Sequence, residues 1–312
     1  MWQSGKKLMV HLLPDRCRTV LVLGAGTSNH VGFPVGVELC SRIIENTEDP
    51  KSGTFSELFE MGFPPQQISL FHNRITESFP RSIDEFLADR TEFIDVGRAA
   101  IAQILLRSED KARLFSRDGN WYGLLRHRLK SDINGNKCSP MIVSFNYDLS
   151  LEQFLFAFLS STFEKYASIN SLENIVNILH VHGRLGYVEY ESPLAPRHVY
   201  GGGVSPSDIL EASKGIRVPS ELDMDFGRHM VVAQEAIRKA KSVIFLGFGY
   251  DEASLDRLRI EWRPGKYFGT AYGLEKSREQ KLKRLSNSTL NLADPTLKVI
   301  DYLPTLECWN TD

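Results

Sequence analysis

Val20-Leu-Val-Leu-Gly-Ala-Gly-Thr-Ser-Asn-His-Val-Gly-Phe-Pro-Val-Gly36 is the stretch that decides the fold of this chain. Its apolar run, Val20 to Leu23, has the form of a parallel strand covered on both faces. The run feeds straight into Gly24-Ala25-Gly26, a third glycine follows at Gly32, and helix-like apolar spacing resumes from Leu39 to Ile44. Glycines let such a turn approach a ligand without interference from Cβ atoms. Backbone N–H groups at the start of the next helix then favour a phosphate. A bare G-x-G also describes a plain tight turn in an α/β domain, so the rest of the chain has to decide.

Three more apolar runs repeat the pattern. Met141 to Phe145 leads into Asn146-Tyr-Asp148 and the apolar-periodic segment Leu149 to Phe163. Asn177 to Val181 ends at His182-Gly183, and Ser242 to Leu246 ends at Gly247-Phe-Gly249-Tyr-Asp251, followed by helical spacing from Ala253 to Leu258. Tyr267 to Leu274 and Leu297 to Leu303 read as two further strands. Strands alternating with helical patterns predict an α/β fold, a Rossmann-like parallel sheet with helices on both faces. Ligands of such sheets bind beyond the carboxyl ends of the strands, where these polar and glycine residues fall.

Between about residues 53 and 135 the spacing is helical with no clear strand. This segment is expected to be a helical insertion or subdomain, leaving 1–52 and 136–312 as a discontinuous Rossmann domain. From Glu191 to Pro219 the chain is punctuated by Pro193, Pro196, Gly201-Gly-Gly203, Pro206 and Pro219. That pattern predicts a mostly irregular segment, either a mobile lid or partner-facing loop, or a long surface connection.

Composition bounds the function. With 312 residues, 42% hydrophobic, 24% charged and a net charge of −2, the chain has an ordinary globular balance and no basic block. Bulk electrostatics gives no reason to expect direct nucleic-acid binding or attachment to an anionic membrane. Cys17, Cys40, Cys138 and Cys308 form no C-x-x-C pair, which excludes a zinc module built from neighbouring cysteines. Without a secretory signal pattern or a run of 18 apolar residues, the expectation is a soluble, reduced, cytoplasmic protein that binds no metal.

Taken in order, Gly24-Ala25-Gly26-Thr27-Ser28, Asn146-Tyr-Asp148, His182-Gly183 and Gly247 resemble the sirtuin catalytic core. That family binds NAD+ on a Rossmann-like sheet through G-A-G-x-S, an N-x-D motif after a strand, and a histidine followed by glycine. The resemblance spans strands from about residue 18 to 305 and leaves the helical insertion unmatched. Two features depart from sirtuin deacylases: the paired C-x-x-C zinc module is absent, and Gly32-Phe-Pro34-Val-Gly36-Val replaces G-I-P-x-F-R, without its arginine. No counterpart of the strand that pairs with an acyl-lysine peptide is evident. The chain therefore looks like the sirtuin-like effectors of bacterial anti-phage systems, in which this core hydrolyses NAD+. Ser82-Ile-Asp84-Glu-Phe86-Leu also resembles a segment of that group, although an amphipathic helix start capped by Ser82 explains it as well.

The resemblance implies NAD+ as substrate, with Asn146, Asp148 and His182 as catalytic residues. Asp148 would accept hydrogen bonds from the nicotinamide carboxamide, or cap the helix that begins near Leu149. Asn146 offers both donor and acceptor groups to a ribose hydroxyl or water, or satisfies backbone groups at the strand end. His182 is the natural general base, with His180 its competitor on the same side of the strand. Gly24, Ala25, Gly26, Thr27, Ser28, Pro34, Gly247, Gly249 and Asp251 form the expected cofactor-binding set, with helix capping as the alternative for Thr27 and Ser28. Asn29 stands where G-x-G-x-x-G needs its last glycine, which argues against a dehydrogenase. Two other readings stay open: a non-catalytic NAD+ or ADP-ribose sensor gating a partner, and a protein deacylase. By analogy, control would come from homo-oligomerisation or from a separately encoded HerA-type ATPase or Argonaute-like protein.

Overall fold

A computed structural model describes residues 18–135, 137–166, 172, 175–186, 199–219 and 224–311. Strand β1 (Thr19–Leu23) runs into two short 3-10 turns, Ala25–Thr27 and Asn29–Val31, before helix α1 (Gly36–Glu48). Six helices follow with no strand among the described residues: α2 (Gly53–Glu60), α3 (Pro65–Ser78), α4 (Ile83–Asp89), α5 (Ile94–Arg107), α6 (Lys111–Leu114) and α7 (Tyr122–Asn134). The chain continues through β2 (Met141–Ser144), α8 (Ser150–Thr162), β3 (Ile178–His180), α9 (Pro206–Ser213), α10 (Met224–Lys239) and β4 (Ser242–Leu246). It closes with α11 (Glu252–Leu258), β5 (Tyr267–Gly269), α12 (Lys276–Leu285), β6 (Leu290–Leu292), α13 (Val299–Tyr302) and α14 (Glu307–Thr311).

The six strands form one sheet in the order β3-β2-β1-β4-β5-β6, and every neighbouring pair is parallel. This is the strand order of the doubly wound dinucleotide-binding fold, whose order reverses beside β1. β1 lies at the centre, with Val20 in register with Met141 on one side and Val243 on the other. Side-chain alternation then divides the strands between two cores. Val20, Val22, Val143 and Phe245 join the apolar cluster that holds Ala233, Ile237 and Leu282 of α10 and α12. Leu21, Leu23, Ile142 and Leu246 join the other, with Ile43 of α1 and the helices that follow. Both faces are covered, which is why the strands are apolar along their whole length.

The helical stretch after α1 is organised around α5, which is buried from Val96 through Leu106 except at the partly buried Arg98 and is mostly apolar. Phe71, Phe86 and Phe93 pack their rings 5.8–5.9 Å apart beside it. These residues belong to the same cluster as Leu21 and Leu23, so the helices close one face of the sheet.

Three expectations need correction. Leu297–Leu303 is not a strand: it holds α13 and leads into a 3-10 turn at Leu303–Thr305. The sixth strand is Leu290–Leu292, paired through Tyr267 and Leu290 with β5, which itself stops at Gly269. Short apolar runs do not distinguish a strand from a helical turn by periodicity alone. The segment 191–219 is also less irregular than its prolines and glycines imply. Its first part, 191–198, lies outside the described residues, but α9 follows with Pro206 in its first turn and a Ser205/Asp208 capping box. No helix among the described residues is long and apolar enough to cross a membrane.

Candidate active site

The predicted residues gather at the carboxyl ends of β1, β2, β3 and β4, but their local causes differ from the expectation. Gly24 and Gly26 make room for another backbone. A Cβ on Gly24 would sit 2.7 Å from the Gly247 carbonyl oxygen, and one on Gly26 would sit 2.9 Å from Gly247 Cα. Gly247 has φ +53°, and its own Cβ would lie 2.4 Å from Thr27 N. The loops after β1 and β4 thus touch, joined by Gly24 N–H to Leu246 O and Gly26 N–H to Gly247 O, both 3.0 Å. The Thr27 and Ser28 N–H groups are also occupied, by Gly24 O and Ala25 O. Helix α1 begins only at Gly36, after the two 3-10 turns, so the turn does not open directly onto a helix N-terminus as its sequence suggests.

The loop instead serves Asn146. Thr27 Oγ1 donates to Gly24 O at 2.7 Å, so its lone pair must meet a donor, which is Asn146 Nδ2 at 2.9 Å. This fixes which way the Asn146 amide faces. The same NH2 reaches Ser28 Oγ at 3.1 Å, and Trp121 Nε1 holds the Thr27 carbonyl at 2.8 Å. Asn146 is 8% exposed, and its Oδ1 has no hydrogen-bond partner among the described residues. A buried acceptor left unmet costs about 1–3 kcal/mol. It marks a place where a ligand hydroxyl or a water completes the site.

Asp148 is also buried, and it is not the N-cap of α8, a position held by Leu149; its Oδ1 instead accepts from Ser150 N at 3.1 Å and from the Ser150 hydroxyl at the start of α8. Tyr122 OH shares a hydrogen bond with Ser150 Oγ at 2.7 Å. Burial pushes the Asp148 carboxyl up, against the Ser150 and Ser28 hydrogen bonds that favour its charged form. Thr27, Ser28, Tyr122, Asn146, Asp148 and Glu152 wall a cavity of ≈ 10 Å³, about the space of one water.

His180 and His182 part company. β3 ends at His180, so strand alternation does not carry through to His182. His180 Nδ1 lies 2.8 Å from Asn146 O, and Nε2 pairs with Glu152. Burial disfavours the His180 imidazolium, but the Glu152 charge and hydrogen bond, with the Asn146 carbonyl, outweigh it and leave its pKa raised. Both nitrogens are thereby committed to holding Asn146 and α8 in place.

His182 is 4% exposed and sits in a second cluster, with Nδ1 3.7 Å from Asp84 Oδ1. The Phe145 ring packs edge-on at 5.2 Å, and Tyr147 hydrogen-bonds the same Asp84. Burial pulls the His182 pKa below its ordinary value, Asp84 opposes this, and Arg257 adds to it. The ring is therefore neutral at physiological pH and able to accept a proton. Gly183, at φ +69°, is required because a Cβ there would meet Gly215 O at 2.1 Å. Arg217 N–H donates to His182 O at 2.7 Å from the same neighbouring segment.

The remaining predicted residues are peripheral in their contacts. Pro34 is buried ahead of α1, and Ala25 lies within the first 3-10 turn. Gly249 is exposed, with open space around it and its carbonyl held by Arg278 at 3.1 Å. Asp251 caps α11 through Ser254 N at 2.8 Å, although its charge is felt at His182. Sequence reasoning missed the roles of Asp84, Glu152 and Tyr147. Tyr147 lies inside the Asn146–Asp148 motif, and Asp84 lies just after Ser82, which does cap α4 through Glu85 N at 3.2 Å. Among the described residues no group of histidine, cysteine and carboxylate side chains is arranged to hold a metal. Comparison with protein-family models and with curated proteins gives no match.

Proposed function

We propose that this chain is an NAD+ hydrolase that cleaves NAD+ to nicotinamide and ADP-ribose. The observation that carries the reading is Asn146, whose amide NH2 is fixed by the glycine loop while its buried Oδ1 awaits a partner. It stands at the carboxyl end of β2, in the region where doubly wound sheets bind dinucleotides. A neutral His182 beside Asp84 supplies the other requirement, a base.

The chemistry needs little else. The bond between the ribose C1′ and the nicotinamide nitrogen breaks with its electron pair passing to the pyridinium ring, which leaves neutral. Oxocarbenium-like charge develops at C1′, as in glycoside hydrolysis. Water adds there, and its proton passes to His182, giving ADP-ribose, nicotinamide and one proton. In this scheme Asn146 Oδ1 orients the water or a ribose hydroxyl. Asp148 accepts from the nicotinamide carboxamide NH2, and the loop from Gly24 to Ser28 supports the dinucleotide.

The sequence resemblance favours a regulated effector of anti-phage defence. Its control would come from self-association or from a separate partner such as a HerA-type ATPase or an Argonaute-like protein.

The test is release of nicotinamide and ADP-ribose from NAD+ by the purified chain, beside Asn146→Ala and His182→Ala. Turnover lost by at least a hundredfold in both variants is the expected result, since general acid–base groups contribute about 10²–10⁴-fold. Turnover that survives both substitutions refutes the assignment. NAD+ binding without turnover, under every partner condition tried, would favour a sensor instead.

A further inference from the structure

Away from Asn146, a cleft of ≈ 510 Å³ lies beside α1, the junction of α5 and α6, and the turn at Gly201. It shares no lining residue with the small cavity at the strand ends. Its volume falls among small-molecule sites, about 300–1,000 Å³, but its walls are polar. Arg42, Arg107, Lys111 and Arg113 face Glu109 and Asp110 there, four cations against two carboxylates.

The cations are available to an anion. Arg42 pairs with Glu38 at 2.5 Å, Arg107 with Glu57, and Arg113 with Asp110 at 3.5 Å. These pairs are partly exposed, where an ion pair contributes little and exchanges readily for a ligand. Lys111 has no ion-pair partner among the described residues. Glu109 is different: it is 8% exposed, and its Oε2 accepts from Gly201 N at 2.9 Å.

We propose that this cleft is a second binding site, for a phosphate-bearing nucleotide. Arginine guanidinium groups match phosphate oxygens in pairs, and Lys111 adds a point charge. A phosphate alone occupies a small part of this volume. Asp110 Oδ1 caps α6 through Ala112 N at 2.8 Å and Arg113 N at 3.1 Å, which leaves Oδ2, 3.5 Å from Arg113 Nε, as an acceptor of the kind a ribose hydroxyl requires and a simple anion would not use.

The cleft borders the candidate active site on two sides. A Cβ on Gly32 would lie 2.8 Å from Arg113 Nη1, and Gly32 ends the loop that carries Thr27 and Ser28. Next to Gly201, Tyr200 is 3% exposed, and burial followed by the charges of Asp148 and Glu109 raises its hydroxyl pKa. The binding does not rest on the hydrolase reading.

The test is calorimetric titration of the full chain with ADP-ribose and, separately, inorganic pyrophosphate. The variants are Lys111→Glu, Lys111→Glu/Arg113→Glu and Asn146→Ala. Lys111 and Arg113 are exposed, and thermal melting checks that each variant folds, with the single substitution carrying the test if the double one does not. The expected result is ADP-ribose binding that falls at least tenfold with charge reversal and persists in Asn146→Ala. Binding untouched by charge reversal, lost only in Asn146→Ala, or absent from the parent overturns the proposal. Pyrophosphate binding as tightly as ADP-ribose also overturns it, leaving a simple anion site. None of these outcomes depends on turnover, so failure here is distinct from failure of the hydrolase reading.

Discussion

Replacing Gly247 by alanine tests the claim that these glycines exist for the contact between two loops. The backbone at Gly247 has φ +53°, a left-handed conformation that costs a non-glycine residue about 1–3 kcal/mol. The added methyl would also lie 2.4 Å from Thr27 N and 2.5 Å from Gly26 C, backbone atoms with no side-chain freedom to move aside. Overpacking of that kind adds about 1–3 kcal/mol, giving about 2–6 kcal/mol in total. In a protein of this size 1 kcal/mol lowers the melting temperature by about 2 °C, so a loss of about 4–12 °C is expected. Gly249, two residues on, is the control: a Cβ there meets nothing within 4 Å. Gly249→Ala should stay within about 0.5 kcal/mol of the parent. Differential scanning calorimetry of the three proteins decides it. If Gly247→Ala melts with Gly249→Ala, the loops are not in contact as described. The glycines would then have to be explained by a ligand after all.

Two further outcomes follow from the histidines. His180→Leu removes the hydrogen-bonded partner of the buried Glu152 carboxylate and should lose up to about 3–5 kcal/mol in urea denaturation, with much of that recovered in His180→Leu/Glu152→Leu. Because the folded pKa of His180 is raised, the pair's stabilisation is present below the ordinary histidine value of 6.5 and is lost as pH rises through the folded value. Because that of Glu152 is lowered, it is present above 4.5 and lost as pH falls through the folded value. The parent's advantage over the double variant should therefore be largest between about pH 4.5 and 6.5, and an advantage that does not vary with pH would refute the ion pair. Asp84→Asn removes the charge that raises the His182 pKa, so the imidazole should titrate at still lower pH by NMR, and the acid limb of kcat/KM should move the same way. A limb that stays in place or moves upward would show that Asp84 does not act on His182.

The central strands were legible because each carries its burial in its own residues: Val20 to Leu23 and Val243 to Leu246 are apolar on both faces. The edge was not. β6 is Leu290-Asn291-Leu292, too short to leave a pattern, while the longer apolar run at Leu297–Leu303 coils into helical turns. α9 was written in the sequence as Ser205-Pro206 with Asp208, a helix start obscured by the surrounding glycines and prolines. At the site, Asn146, Asp148 and His182 could be found because each follows an apolar strand within a few residues. Asp84 could not. It meets Tyr147 across 63 residues of chain, an approach created by packing α4 against α1 and α5 and by nothing local.

That same packing explains how one polar cluster is divided into two. Asn146 and Asp148 belong to the glycine loop and α8, whereas His182 belongs to α4 through Asp84 and to residues 215–217 through Arg217 N–H. Tyr147, between Asn146 and Asp148, hydrogen-bonds the same Asp84 and ties the two halves together. On the hydrolase reading, that link sets how far the residue that orients the water stands from the base that takes its proton.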